Sequence, residues 1–351
     1  MGDSHPIWVV GGEQRGVPHF AREWKLYRKA LVLKAEAGQV ERVLEYESPP
    51  EHCPQEAPSI VFKAATVKGN CAYLCTQTEI LICDFPSFAL RKIISLPCFN
   101  DVHHIAVAAD GRLFVAVTGL DAVAELAPDG TLLRLTSVLG DSVWDRFSPT
   151  IDYRKVPTTK PHRAHPNFVF FLDEQPWVTR FEQRDAIPLY AARDSSEIFR
   201  LGEEPVHDGY VAGSYIYFTT VDGNIIRFHL ASRAKQCFAL PAMHGSYRDR
   251  PLGWCRGILP LGDNVWVGLS RVRFTALRHN LDWVRRGFRY ADRLPPAPTR
   301  IACYNLANAT LLEEIELENQ GLNTIFSIHT IDRAVVDASC GPPNFAEVNG
   351  R

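Results

Sequence analysis

Twelve histidines are spread along the 351 residues, and three of them recur at comparable places in a repeating pattern. His104 stands six residues before the turn signal Asp110-Gly111, and His207 stands six before Gly213-Ser214. Arg256 stands six before Gly262-Asp263, and Asn167 six before Asp173-Glu174, with His165 two residues earlier. Residues two apart on a strand share a face, so His165 and Asn167 can look the same way. Neutral imidazole is the commonest nitrogen donor to transition metals, and a catalytic metal keeps a coordination position open. The expected cofactor is therefore a divalent transition metal, of open identity, held by His104, His165 and His207. Arg256 is placed to clamp an anionic group, and Asn167 and Asp208 to orient substrate or ligands. His329 stands only three residues before its own turn, and joins the ligand set only if its strand begins elsewhere. His103 alternates to the face opposite His104 and is expected to be structural. The competing reading is that these histidines cap strand ends by hydrogen bonding to the backbone or to one another.

The elements that must position these residues are short strands. Runs such as 104–109, 112–117, 122–126 and 132–137 are separated by Asp-Gly and Pro-Asp-Gly punctuation, which reads as a four-stranded meander. The same grammar recurs at roughly 40–50 residues, the period of propeller blades. Outer hairpins are expected at 30–46, 79–96, 122–137, 187–201, 224–240 and 300–317. Inner strand pairs precede five of them, at 59–76, 104–117, 167–179, 209–220 and 258–269. The first outer hairpin lacks an inner pair, whereas 323–336 reads as an inner pair without an outer hairpin, so the two ends fit each other. The expected fold is all-β, a single six-bladed β-propeller domain over 1–351, its ring closed by N-terminal strands that join the C-terminal blade. A two-sheet sandwich with long insertions is the rival architecture.

Two segments break the repeat. Residues 138–161 form a long irregular insertion, read as a lid over the channel mouth. Residues 274–298 carry Leu277, Leu281, Val284 and Phe288 at helical spacing with Arg278, Arg285, Arg286 and Arg289 between them, ending in a Pro-rich stop. This basic helical insertion could cover a blade edge or a second copy of the chain, so a homo-oligomer is an allowed state.

Composition limits the partners. The chain is 46% hydrophobic and 22% charged with a net charge of −2, which excludes disorder and a generic nucleic-acid binder. Its longest apolar runs are far short of a membrane span. Nine cysteines, an odd number set mostly inside apolar runs, read as free core residues and point to a reducing, cytoplasmic setting. Cys255, beside Arg256, is the one cysteine placed where a nucleophile could serve, although alternation turns the two residues to opposite faces.

The string Arg163-Ala164-His165-Pro166-Asn167 is followed by a strand ending Trp177-Val178-Thr179. With it stand His207-Asp208-Gly209 and Arg256-Gly257, then Val267-Gly268-Leu269-Ser270-Arg271-Val272-Arg273. This set resembles a family of uncharacterised bacterial six-bladed propeller-like proteins with His-x-Asn, His-Asp-Gly and Arg-Gly…Val-Gly-Leu-Ser-x-x-Arg motifs. The likeness runs from about 102 to 273, and it implies the fold and the choice of residues, with no assigned reaction. The expected function is that of a metal-dependent enzyme (lyase, hydrolase or isomerase) acting on a small polar or anionic molecule at the channel mouth. The alternative is a non-catalytic propeller that binds a protein or glycan through the basic insertion.

Overall fold

The structure is a computed structural model that describes residues 5–16, 23–190, 198–245, 252–272 and 297–331. In chain order, β1 (Ile7–Gln14), β2 (Tyr27–Glu36) and β3 (Gln39–Tyr46) come first. A first complete blade follows: β4 (Ala64–Lys68), β5 (Cys71–Cys75), β6 (Ile80–Asp84) and β7 (Leu90–Ile94). The second is β8 (Val102–Val107), β9 (Leu113–Val117), β10 (Ala122–Leu126) and β11 (Leu132–Ser137). The third is β12 (Pro166–Leu172), β13 (Gln175–Arg180), β14 (Asp185–Pro188) and β15 (Phe199–Arg200). The fourth is β16 (Val206–Ala212), β17 (Tyr215–Thr220), β18 (Asn224–His229) and β19 (Lys235–Ala239). The fifth is β20 (Trp254–Leu261), β21 (Asn264–Ser270), β22 (Arg300–Asn305) and β23 (Thr310–Glu316). The last strand, β24 (Thr324–Thr330), pairs with β1, so the sixth blade runs β24-β1-β2-β3. These six antiparallel four-stranded sheets form a six-bladed β-propeller.

The closure joins one C-terminal strand to three N-terminal ones. Residues 323–336 are expected to supply two inner strands; 332–336 lie outside the described residues, and among those described β24 is innermost and β1 takes the second place. The sequence of β1, Ile7-Trp8-Val9-Val10, explains why: all four are buried, and a strand that apolar must be covered on both faces.

The core lies between blades, where the face of one sheet packs on the next. Phe168, Phe170 and Trp177 of the third blade meet Phe218, Ile226 and Phe228 of the fourth. Trp8, Val10 and Val32 of the sixth meet Phe62, Ala65, Ala72 and Leu74. Because inner strands are covered from both sides, β5 (Cys-Ala-Tyr-Leu-Cys) is buried throughout, and the cysteines serve as small apolar residues there. All described cysteines are free, and only Cys237 is exposed. Among the described residues no helix is long and apolar enough to cross a membrane.

The insertion 138–161 lies across the second blade with two short helical turns. Its Tyr153 N–H donates to the Pro97 carbonyl at 2.7 Å, and the Asn100 amide donates to the carbonyls of Tyr153 and Val156 at 2.8 and 2.7 Å. The basic segment expected to be helical lies, but for Ala297 and Pro298, outside the described residues.

Candidate functional site at the channel mouth

Five of the six inner strands carry an extra residue near the same end, and those irregularities decide what faces the axis. In β8 the pairing steps from Val102 to His104, leaving His103 as the bulged residue. In β16 it steps from Val206 to Asp208, leaving His207. In β20 the bulged residue is Gly257, in β24 it is Phe326, and in β12 both Asn167 and Phe168 oppose Thr179. Bulges bend a strand and re-aim a side chain. His103 and His207 thus occupy one equivalent position in two blades, and their rings stack with centroids 5.9 Å apart.

His165 reaches the same place from the segment preceding β12. It has φ near +54°, a region a non-glycine residue rarely enters. Asp121 holds it there: its carboxylate accepts the backbone N–H groups of Arg163, Ala164 and His165 at 2.8, 2.9 and 2.9 Å. Arg146 from the insertion donates to the same carboxylate at 2.6 Å. The His165 ring lies 4.9 Å from that of His103 and 5.8 Å from that of His207, and the two Nε2 atoms of His103 and His165 are 3.4 Å apart. His162, its side chain 2% exposed, lies 5.2 Å from His165, and among the described residues neither of its ring nitrogens has a hydrogen-bond partner. Phe181 stacks on His165.

Charged groups surround these rings. Arg256 donates to Nε2 of His207 at 2.7 Å and lies over the Phe326 ring. Lys63 pairs with Asp101, whose backbone carbonyl lies 2.8 Å from Nδ1 of His103. The Asp101 carboxylate is also 3.8 Å from Nδ1 of His103 and from Nε2 of His162. Burial, then the Lys63 ammonium, push His103 down to about 3, against the pull of Asp101. Burial and the Arg256 guanidinium hold His207 well below the usual histidine range, and burial does the same to His165. Burial also lowers His162. Burial alone would raise Asp101, but Lys63, His103, Lys160 and His162 outweigh it and hold that carboxyl well below the usual carboxylate range. At neutral pH the four imidazoles of the mouth are therefore neutral, with the Asp101 carboxylate, Lys63, Lys160 and Arg256 close to them. A small cleft, about 10 Å³ or room for roughly one water, opens beside them between Lys63, Asp101, Asn100, Thr158 and Lys160.

The structure brings together His165, His207 and Arg256 as expected, and separates the others. The expected positions of His103 and His104 are exchanged. His104 Nδ1 accepts the N–H of Val169 from the neighbouring inner strand at 3.3 Å, and its ring packs on Phe168. The cause is turn length: Ala108 to Arg112 lie between the paired residues Val107 and Leu113, whereas only Gly213 and Ser214 separate Ala212 from Tyr215. Counting back from the turns therefore sets His104, instead of His103, against His207.

Asn167 and Asp208 make hydrogen bonds between blades. Asn167 donates to the Val206 carbonyl at 2.8 Å and accepts from Thr179 at 2.5 Å. Asp208 accepts the N–H of Gly257 and the hydroxyl of Thr219. Gly257 has φ near +77°, a backbone region that favours glycine, and a Cβ there would sit 3.1 Å from Ile328. His329 interacts with Ser327, two residues away on its own strand, at 3.1 Å. Cys255 faces the core between the fourth and fifth blades, and burial raises its thiol well above the ordinary value, which removes it as a nucleophile. Ser270 accepts the Ile325 N–H, and Arg271 pairs with Glu318.

The expected metal ligands His104, His165 and His207 do not converge. His104 faces the next blade, and Nε2 of His207 meets a guanidinium. The ring atoms aimed at one another are Nε2 of His103 and of His165, beside the ring of His162. Among the described residues, no group of three or more His, Cys, Asp or Glu side chains is arranged to hold a metal ion. Sequence reasoning missed Lys63, Asp101, Asp121, Lys160 and His162. Of these, only His162 carried a visible signal, standing three residues before His165 in the motif-bearing stretch.

No family model matches the chain, and no curated protein sequence matches it. Among solved structures it is similar to a protein of unknown function from Bacteroides caccae, with a TM-score of 0.58 and 11% identity over 93% of this chain and 98% of that one. It is also similar to a chain of a nidogen/laminin complex, with a TM-score of 0.52 and 10% identity over 93% and 97%. A streptogramin B lyase structure aligns with a TM-score of 0.48 and 11% identity over 92% and 91%. At such identities the likeness is one of fold.

Proposed function

We propose that the protein is an enzyme that acts on a small anionic molecule at this end of the channel, by proton transfer to and from histidine. The observation that carries the reading is the meeting of His103, His165 and His207, from three blades, with Arg256 at their edge. Three imidazoles in contact, two of them buried, contribute little to packing that phenylalanine would not, and their polar atoms must be hydrogen-bonded to be buried there at all, an arrangement that clusters at functional sites. Lys63, Lys160 and Arg256 bring positive charge to the mouth, which favours a carboxylate or phosphate. His165 is the imidazole best placed to exchange a proton with a bound molecule, because it is partly exposed whereas His103 and His207 are 4% and 6% exposed. Lyase, hydrolase and isomerase chemistry all use such a base.

The donor arrangement does not suit the metal-assisted version of this reading, so no step is assigned to a metal. Titration calorimetry with inorganic phosphate and with malonate tests the proposal. Binding by the parent, weakened at least tenfold in Arg256→Met and in Lys63→Met, is the expected outcome. If neither anion binds the parent at millimolar concentration, the reading is wrong. Elemental analysis of the purified protein is the companion measurement: one equivalent of a transition metal, lost in His165→Ala, would restore metal-assisted chemistry.

A further inference from the structure

We infer that the mouth contains a two-imidazole proton relay, in which Nδ1 of His165 exchanges a proton with the bound molecule while Nε2–H of His165 delivers one to Nε2 of His103. The inference rests on the proposed anion-binding reading for its substrate, but its geometry stands independently. The hydrogen-bond partners fix the tautomers. Nδ1 of His103 faces the Asp101 carbonyl oxygen at 2.8 Å, and a carbonyl only accepts, so that nitrogen carries the proton and Nε2 presents its lone pair. Nε2 of His207 faces the Arg256 guanidinium at 2.7 Å, which only donates, so His207 also carries its proton on Nδ1.

His165 then has one consistent state. Its Nε2 lies 3.4 Å from the lone pair of His103 Nε2, so it holds the proton on Nε2 and keeps the lone pair on Nδ1. The distance is long for N–H···N, as catalytic hydrogen bonds often are before a ligand enters. When a proton leaves the bound molecule, its electron pair stays on that molecule and an N–H bond forms at Nδ1 of His165. The N–H bond at Nε2 of His165 breaks, and a new one forms at Nε2 of His103. The positive charge so placed on His103 sits 3.8 Å from one oxygen of the Asp101 carboxylate, whose other oxygen is 3.8 Å from the His162 ring. Return of the proton reverses both transfers.

Lys63 and Arg256 oppose a charge on His103, and an anion in the mouth offsets them, so the relay is armed by its substrate. In this scheme His165 is the catalytic residue, His103 relays, and Asp101 and Arg256 set the tautomers.

Long-range proton–nitrogen correlation spectra of the full chain, labelled with ¹⁵N-histidine, read the tautomers directly, with signals assigned through single His→Gln variants. At pH 7.5 the expected result is Nδ1–H for His103 and His207 and Nε2–H for His165. In His103→Phe, which keeps a ring, His165 is expected to relax to a mixture of tautomers. Nδ1–H on His165 in the parent, or an unchanged His165 signal in His103→Phe, overturns the relay. Titration with inorganic phosphate separates the two readings, with a shift of the His165 and His207 nitrogen signals expected. Should phosphate leave all three signals unmoved while the tautomers are as stated, the anion reading fails and the relay geometry stands.

Discussion

Asp208 shows how a residue chosen for chemistry can turn out to hold the scaffold. Its carboxylate ties the fourth blade to the fifth through the Gly257 N–H and the Thr219 hydroxyl, and burial raises it to about 6. An acid whose pKa is higher folded than unfolded (about 3.9) favours folding most when protonated. That contribution is complete below about pH 4 and is lost as pH rises through 6. Asp208→Asn keeps an oxygen for Gly257 and gains a donor for Thr219. Its stability relative to the parent is therefore expected to rise by on the order of 2 kcal/mol between pH 4 and pH 8, measured by urea unfolding at both. An equal offset at the two pH values would contradict the assignment. His104 illustrates the same point from the opposite side: side-chain type and spacing placed it at the mouth, but its Nδ1 accepts a backbone N–H of the next inner strand.

At the scale of elements, the segment 162–165 is held by a carboxylate rather than by a strand. Asp121, itself at φ near +50°, gathers three consecutive N–H groups and thereby fixes His162 and His165. Charge-assisted hydrogen bonds of this kind contribute about 1.5–3 kcal/mol each, though not additively. Asp121→Ala is expected to cost about 3 kcal/mol in chemical denaturation and to weaken phosphate binding at least tenfold. Asp121→Asn should recover part of both, since one oxygen remains. Full phosphate affinity in the alanine variant would show that the bracket does not position His165. Short strands between Asp-Gly turns were legible from residue pattern alone. The bulges were not, because an extra residue in a strand leaves the apolar alternation almost intact while shifting every later side chain by one position.

At the scale of the molecule, the ring is closed by β1, which pairs with β24 on one side and β2 on the other. Removing residues 1–16 would expose an apolar edge on both neighbours. The truncated chain is expected to lose its single cooperative unfolding transition and to self-associate, as seen by calorimetry and sedimentation; a monomer with the parent melting temperature would rule this out. Acid stability is a property of the whole channel. His103 and His104 are lowered to about 3 and His329 to about 4, chiefly by burial. A histidine lowered in the folded state favours folding above the unfolded pKa of about 6.5, and that contribution is lost as pH falls toward the folded value. Unfolding free energy is expected to drop between pH 6 and pH 4 by about 1.4 kcal/mol per pH unit for each such histidine. A flat profile over that range would mean that the rings are solvated.

The sequence by itself determined the number of blades, the closure of the ring by its own ends, and the stretches from which His165, His207 and Arg256 arise. All of these follow from local rules: turn chemistry, strand length and apolar patterning. Only the tertiary structure decided which histidine of the pair 103–104 faces the axis, and that Asn167 and Asp208 bind neighbouring blades. Only it could join Lys63, Asp101, Asp121, Lys160 and His162 to the site. The reason is physical: those assignments depend on one-residue bulges and on hydrogen bonds between residues tens of positions apart, and neither leaves a periodic trace in the chain.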